Sequence, residues 1–117
     1  MSASAVRLRH AERLLNGRLE VSGVWPRCCA WLLRLALENA LRELWGQRRP
    51  ELSACSRRAQ LLALQMFTGM DTARATAELW YALSRVAHHH DYDLSPTAAE
   101  LRDWHYRARE VCAALNP

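Results

Sequence analysis

Trp25 to Trp45 reads WPRCCAWLLRLALENALRELW, and this run decides the fold. Pro26 suits a first helical turn, where its missing N–H removes no hydrogen bond. Leu33, Leu37, Ala40, Leu41 and Leu44 recur at helical spacing, while Cys28, Leu32, Leu35 and Ala36 widen the apolar surface to a second side. A stripe this wide predicts a central helix to about Trp45-Gly46 with two packing partners. Arg27, Arg34, Glu38, Arg42 and Arg49 draw one polar line along it, with Glu38 and Arg42 spaced for i,i+4 pairing. That line is expected to face water.

Helical patterns continue on both sides. Before the central helix, Ser2 and Ser4 can cap a first helix whose apolar side holds Val6, Leu8, Leu14, Leu15 and Leu19, loosened at Asn16-Gly17. After it, Gln47-Arg48-Arg49-Pro50 breaks the pattern, and Ser53 is the expected cap of a shorter third helix through Ala59, Leu61, Leu62, Leu64, Met66 and Phe67. Thr68-Gly69 ends that helix, and Asp71 offers a cap to a fourth, from about Thr72 to His88 or beyond. Its apolar side is Ala75, Leu79, Ala82, Leu83 and Val86. Thr97-Ala98-Ala99-Glu100 has capping-box form, after which Leu101, Trp104, His105, Ala108, Val111, Cys112 and Leu115 keep three-four spacing.

Composition agrees with this reading. Half of the 117 residues are hydrophobic, and only four glycines and four prolines occur, so one helical domain with a real core is expected over 1–117. Short connections favour antiparallel neighbours, which makes the expected architecture all-α: an up-and-down bundle of four main helices plus a short accessory helix.

The sixteen basic side chains are all arginine, consistent with a GC-rich coding bias or with selection for guanidinium chemistry. A formal charge of +4 and a pI near 9.2 give a mild attraction to polyanions, below the dense stripe of a dedicated DNA reader. Cys28, Cys29, Cys55 and Cys112 lack C-x-x-C spacing and read as buried free thiols. The N-terminal segment through Arg18 holds no continuous apolar stretch of signal-peptide type. Every later apolar run is broken well short of the ~20 residues that span a bilayer. A cytoplasmic protein with no membrane association is expected.

The chemistry-bearing stretch is Arg85-Val86-Ala87-His88-His89-His90-Asp91-Tyr92. It joins a permanent cation, groups that titrate near neutral pH and a phenol at the end of the fourth helical pattern. Arg74, Glu78, Tyr81, Arg85 and His88 are spaced four, three, four and three and share one helical face, which Tyr92 extends if the helix lasts that far. Successive helical residues turn by about 100°, so at most two of the three histidines serve one site. With neither H-E-x-x-H nor paired C-x-x-C present, no metal or other cofactor is expected. Purely structural roles are also available: Arg85 pairing with Glu78 or Asp91, His90 capping helix-terminal carbonyls, Tyr92 packing its ring, and His105 packing in the core. Trp25, Trp31, Trp45, Trp80 and Trp104 sit mostly within apolar patterns and read as core or dimer-interface anchors.

Arg85, four residues, His90, one residue and Tyr92 resemble the R-x4-H-x-Y motif of the HEPN superfamily, in particular its toxin branch. The segment from Ala82 to Leu101 also resembles an element of small actinobacterial proteins. The resemblance implies a small helical bundle that dimerises so that two motifs share one cleft, and a metal-independent endoribonuclease acting on RNA. It implies catalytic roles for Arg85 and His90 and a phosphate-positioning role for Tyr92, while His88, too close to Arg85 for the motif spacing, joins Tyr81, Glu78 and Arg74 as substrate-binding or supporting residues through their shared helical face. It further implies the toxin half of a toxin-antitoxin pair, with an antitoxin nucleotidyltransferase that modifies Tyr92. Val86 departs from the family, which commonly has a polar residue after the arginine. That departure supports a second expectation, a catalytically silent helical module that binds nucleotide, RNA or a protein partner through the same groove.

Overall fold

The computed structural model describes residues 2–17, 25–87 and 95–117. Its elements are α1 (Ala3–Leu15), α2 (Trp25–Arg48), a 3-10 turn (Pro50–Ala54), α3 (Arg57–Ala63), α4 (Gln65–Thr68), α5 (Met70–Ala87) and α6 (Ala98–Leu115), with no strand among the described residues. The fold is all-α, as composition predicts.

Contacts fix the topology. The Cys29 thiol points at the Ala11 carbonyl (3.7 Å), so the end of α1 meets the start of α2. Arg102 donates to the Leu15 carbonyl (3.3 Å), and a His105 ring nitrogen lies 3.1 Å from the Leu8 carbonyl, which sets α6 antiparallel to α1. Arg34 over Trp80, together with Trp45 near the end of α2 against Phe67 on α4 just before α5 begins, sets α5 antiparallel to α2. These four helices form an up-and-down bundle, with α3 and α4 as the short accessory piece.

Helix α2 packs against α1, α5 and α6, three main partners rather than the expected two. The third contact is the diagonal one, where Cys112 meets the Ala36 carbonyl (3.8 Å) and Asn116 donates to the Ala40 carbonyl (2.9 Å). Alanines at 36, 40 and 108, all fully buried, let the α2 and α6 backbones approach this closely. The core runs through Leu33, Leu37, Leu41, Trp45, Leu83, Leu101 and Leu115.

Helix ends follow local chemistry. Ser2 caps α1 by accepting from the Ala5 amide (3.2 Å). The capping box of α6 is present in both directions: Thr97 accepts from the Glu100 amide (3.1 Å) while Glu100 accepts from the Thr97 amide (3.0 Å). Gly69, at φ +89°, both ends α4 and accepts the first bond of α5 from the Ala73 amide.

Several sequence expectations are corrected. The cap of α3 is Ser56, which accepts from the Ala59 amide (3.2 Å), because Ser53 is taken up in the 3-10 turn. Asp71 lies within the first turn of α5 rather than at its cap, where its charge still complements the helix dipole. Val6 is 36% exposed. It lies about 200° around the helix from Leu8, and the inward stripe is Ser4, Leu8, Ala11 and Leu15. On α5, Ala75 is exposed and Thr76 is buried instead, its hydroxyl satisfied by the Thr72 carbonyl at 2.7 Å. Leu19 lies outside the described residues.

Only Cys29 and Cys112 are buried, while Cys28 is half-buried and Cys55 exposed. Burial pushes the Cys112 thiol up to about 12; burial, reinforced by the adjacent Cys28, does the same for Cys29. Labelling the folded protein at mildly alkaline pH with an aromatic disulfide should therefore modify Cys55 first and Cys28 more slowly. Cys29 and Cys112 should react only after unfolding. A folded pKa raised from 9 toward 12 means that the stabilising protonated thiols are fully present below about pH 9 and lost as pH rises through about 12. Stability should decline across that window, and replacing both cysteines with alanine should flatten the decline.

Candidate functional site

Amphipathicity gives α5 two faces. Leu79, Trp80 and Leu83 turn inward, while Arg74, Glu78, Tyr81 and Arg85 lie together on the exposed face, as their spacing predicts. Tyr81 keeps half its surface (50%) in water. The i,i+4 partners Arg74 and Glu78 form no ion pair, nor does Glu78 pair with Arg85. No described carboxylate neutralises Arg85, which lies in the last turn of α5, next to the histidine run. Val86 is partly buried against the core, so packing accounts for an apolar side chain at that position. The expected site residues His88, His90 and Tyr92 lie outside the described residues.

A second cluster lies beside this face, between α2, α3 and α5. The guanidinium carbons of Arg34 and Arg57 stand 4.7 and 4.9 Å from the centroid of the Trp80 ring, within cation–π range. Glu38 pairs with Arg57 at 3.7 Å, correcting the expectation that it pairs with Arg42 along a solvated line. Arg57 also donates to the Gln60 side-chain oxygen (2.6 Å), and Gln60, itself buried, donates to the Leu52 and Cys55 carbonyls (2.7 and 3.3 Å). Gln60 thus clasps the 3-10 turn and aims Arg57 at Trp80. Burial holds the Arg57 guanidinium below its usual range; Glu38 opposes this shift, and the nearby charges of Arg42 and Arg34 add to it. The Arg34 Nε is buried without a hydrogen-bond partner, and no described carboxylate pairs with Arg34. The cluster is therefore crowded with positive charge.

The tryptophans divide by environment. Trp45 and Trp80 are buried, Trp25 and Trp104 are half-buried against the core, and Trp31 is 56% exposed. Of the two expected roles, core or dimer-interface anchor, Trp31 does not take the first. It lies on the α2 face of Arg27, Arg34 and Glu38, at spacings of four, three and four. Sequence spacing holds a signal for this aromatic within a polar line. The Trp80 cluster has none, because it needs knowledge of which helices are neighbours.

His105 packs as expected, buried on α6 with its ring nitrogen at the Leu8 carbonyl. It borders an open cavity of about 330 Å³ between α1 and α6 that Arg9, Glu12 and Arg109 also line. Among the described residues no three His, Cys, Asp or Glu side chains converge as a metal site requires. No described helix is long and apolar enough to cross a membrane. Comparison with protein-family models, with curated proteins and with solved structures yields no match to this chain.

Proposed function

We propose that this chain is a HEPN-like, homodimeric RNA-binding protein that cleaves RNA without a metal, acting as the toxin of a toxin-antitoxin pair. The observation that carries the reading is the exposed face of α5, where Arg85, free of any described carboxylate, lies three residues before His88, the first of the histidine run. A guanidinium at that position can bind a phosphate bidentately and stabilise charge that grows on its oxygens.

In the proposed reaction His90 accepts the 2′-hydroxyl proton. The 2′-oxygen attacks the adjacent phosphorus, the bond to the 5′-oxygen breaks, and the partner protomer's copy of the histidine protonates the leaving oxygen. Arg74, Glu78, Tyr81 and His88 bind or position the strand along the same face. Tyr92 contacts phosphate and is the residue that an antitoxin nucleotidyltransferase would modify.

RNA incubated with the protein in excess chelator should yield fragments ending in 2′,3′-cyclic phosphate and 5′-hydroxyl. Intact RNA, or ends with 3′-hydroxyl and 5′-phosphate, would overturn the reading. Partial burial of Val86 against the core supports a second reading, a silent module that binds RNA, nucleotide or a protein through the same face. That reading predicts binding that Arg85→Ala weakens, with no turnover under any condition.

A further inference from the structure

The packing of α2 against α5 aligns two stripes of similar chemistry. On α2 the stripe is Arg27, Trp31, Arg34 and Glu38; on α5 it is Arg74, Glu78, Tyr81 and Arg85. Each has one half-exposed aromatic between arginines, Trp31 at 56% and Tyr81 at 50%. Their register is set by Arg34 over Trp80. Running back along α2 from Arg34 and forward along α5 from Trp80, the antiparallel pair brings Trp31 and Arg27 to the level of Leu83 and Ala87. Tyr81 adjoins Trp80 itself. Each residue advances about 1.5 Å along a helix and packed axes lie about 8–10 Å apart, so the two aromatics are within the span of a few nucleotides.

The exposed faces of Trp31 and Tyr81 are available for stacking. Here the rings flank guanidinium groups held in place by Trp80, Glu38 and Gln60. Burial depresses Arg57, with the charges of Arg42 and Arg34 adding to it against the opposing Glu38, and the Arg34 Nε is buried without a hydrogen-bond partner. An anion docking there gives both guanidinium groups a partner. Exposed π faces interleaved with fixed cations match single-stranded nucleic acid, whose unpaired bases stack while its backbone carries the negative charge. A duplex hides its bases and offers only the charge.

We propose that the seam between α2 and α5 is a binding track for single-stranded RNA, in which Trp31 and Tyr81 stack on bases and Arg34 with Arg57 holds backbone phosphate. The proposal rests on RNA as the ligand of the adjoining Arg85 face and extends that site onto α2. The strand leaves the reacting phosphate and crosses Tyr81, the Arg34-Arg57 pair and Trp31.

The test is binding of the full-length protein to a short fluorescent 2′-O-methyl oligouridine, which lacks the 2′ nucleophile and so separates the track from the chemistry. Trp31→Ala and Tyr81→Leu should each weaken binding about tenfold. Arg34→Gln should lower the slope of log affinity against log salt by about 0.7, the release expected for one single-strand phosphate contact. Affinity for an RNA duplex of equal length should fall with Arg34→Gln and stay constant with Trp31→Ala. Unchanged oligouridine affinity in Trp31→Ala and Tyr81→Leu, with wild-type helicity by circular dichroism, overturns the track. So does a loss of self-association in Trp31→Ala with RNA affinity intact, which would make the seam a contact between copies of the chain. Weakened binding in these variants, alongside a wild-type protein that cleaves no RNA, leaves the track standing and removes the proposed chemistry. Cleavage with unchanged binding does the reverse.

Discussion

Trp45→Ala should destabilise the fold by about 3–5 kcal/mol, the cost of emptying a large aromatic site in a packed core. Trp45 is fully buried near the end of α2, and its ring meets Phe67 edge to face at 5.4 Å between centroids. The residue thus joins the central helix to the accessory piece, and truncating it opens a cavity lined by rigid helices that have little freedom to close it. Domains of this size have stabilities of about 5–15 kcal/mol, so the variant should be partly unfolded at moderate temperature. Urea unfolding followed by circular dichroism should show a lower midpoint with an unchanged slope. Trp45→Phe should cost less. The Trp45 indole N–H is buried without a hydrogen-bond partner, and replacing the indole with a phenyl ring removes that unmet donor while keeping an aromatic against Phe67. Equal losses in the two variants would contradict the packing role of an aromatic ring against Phe67.

Arg85→Ala should reduce RNA cleavage by about 10²–10³-fold, the effect of removing one donor to a developing oxyanion. Because Arg85 is exposed and pairs with no described carboxylate, the substitution should leave the unfolding free energy within about 0.5 kcal/mol of wild type. A loss of rate is then chemical rather than structural. Arg85→Lys should recover part of the loss, since it retains charge while lacking the planar fork that grips two phosphate oxygens. Full recovery by lysine would reduce the role of Arg85 to simple attraction.

Local signals carried most of the fold. The Thr97-Glu100 capping box and the three-four spacing through Leu115 fix α6 from sequence alone, because each depends on residues within one or two turns. The width of the α2 stripe likewise exposes its central place, although the diagonal contact with α6 depends on alanines whose smallness matters only once a partner is known. The cap of α3 failed for a related reason. Ser53 and Ser56 are both good local caps, and Gln60, which binds the Leu52 and Cys55 carbonyls, sits where the preceding residues form a 3-10 turn. That clasp, which reaches five to eight residues back and beyond the cap itself, decides between them.

The candidate site divides in the same way. The shared face of Arg74, Glu78, Tyr81 and Arg85 was legible because helical periodicity alone produces it. The pairing of Glu38 with Arg57, and the two guanidinium groups on Trp80, were not, because they join three helices far apart in sequence. The polar line on α2 therefore read as solvated, although Arg34 and Glu38 are half-buried in the α2–α5 seam. His90 and Tyr92 carry their assignment through motif spacing, and His88 through helical spacing from Arg85.

The decisive measurement of metal-independent cleavage by Arg85 and His90 is the single-turnover rate of His90→Ala on RNA in excess chelator. That rate should be lower than wild type by about 10²–10⁴-fold, the contribution of a positioned general acid-base group. A rate in His90→Ala equal to that of the wild-type protein would rule out His90 as the acid-base group.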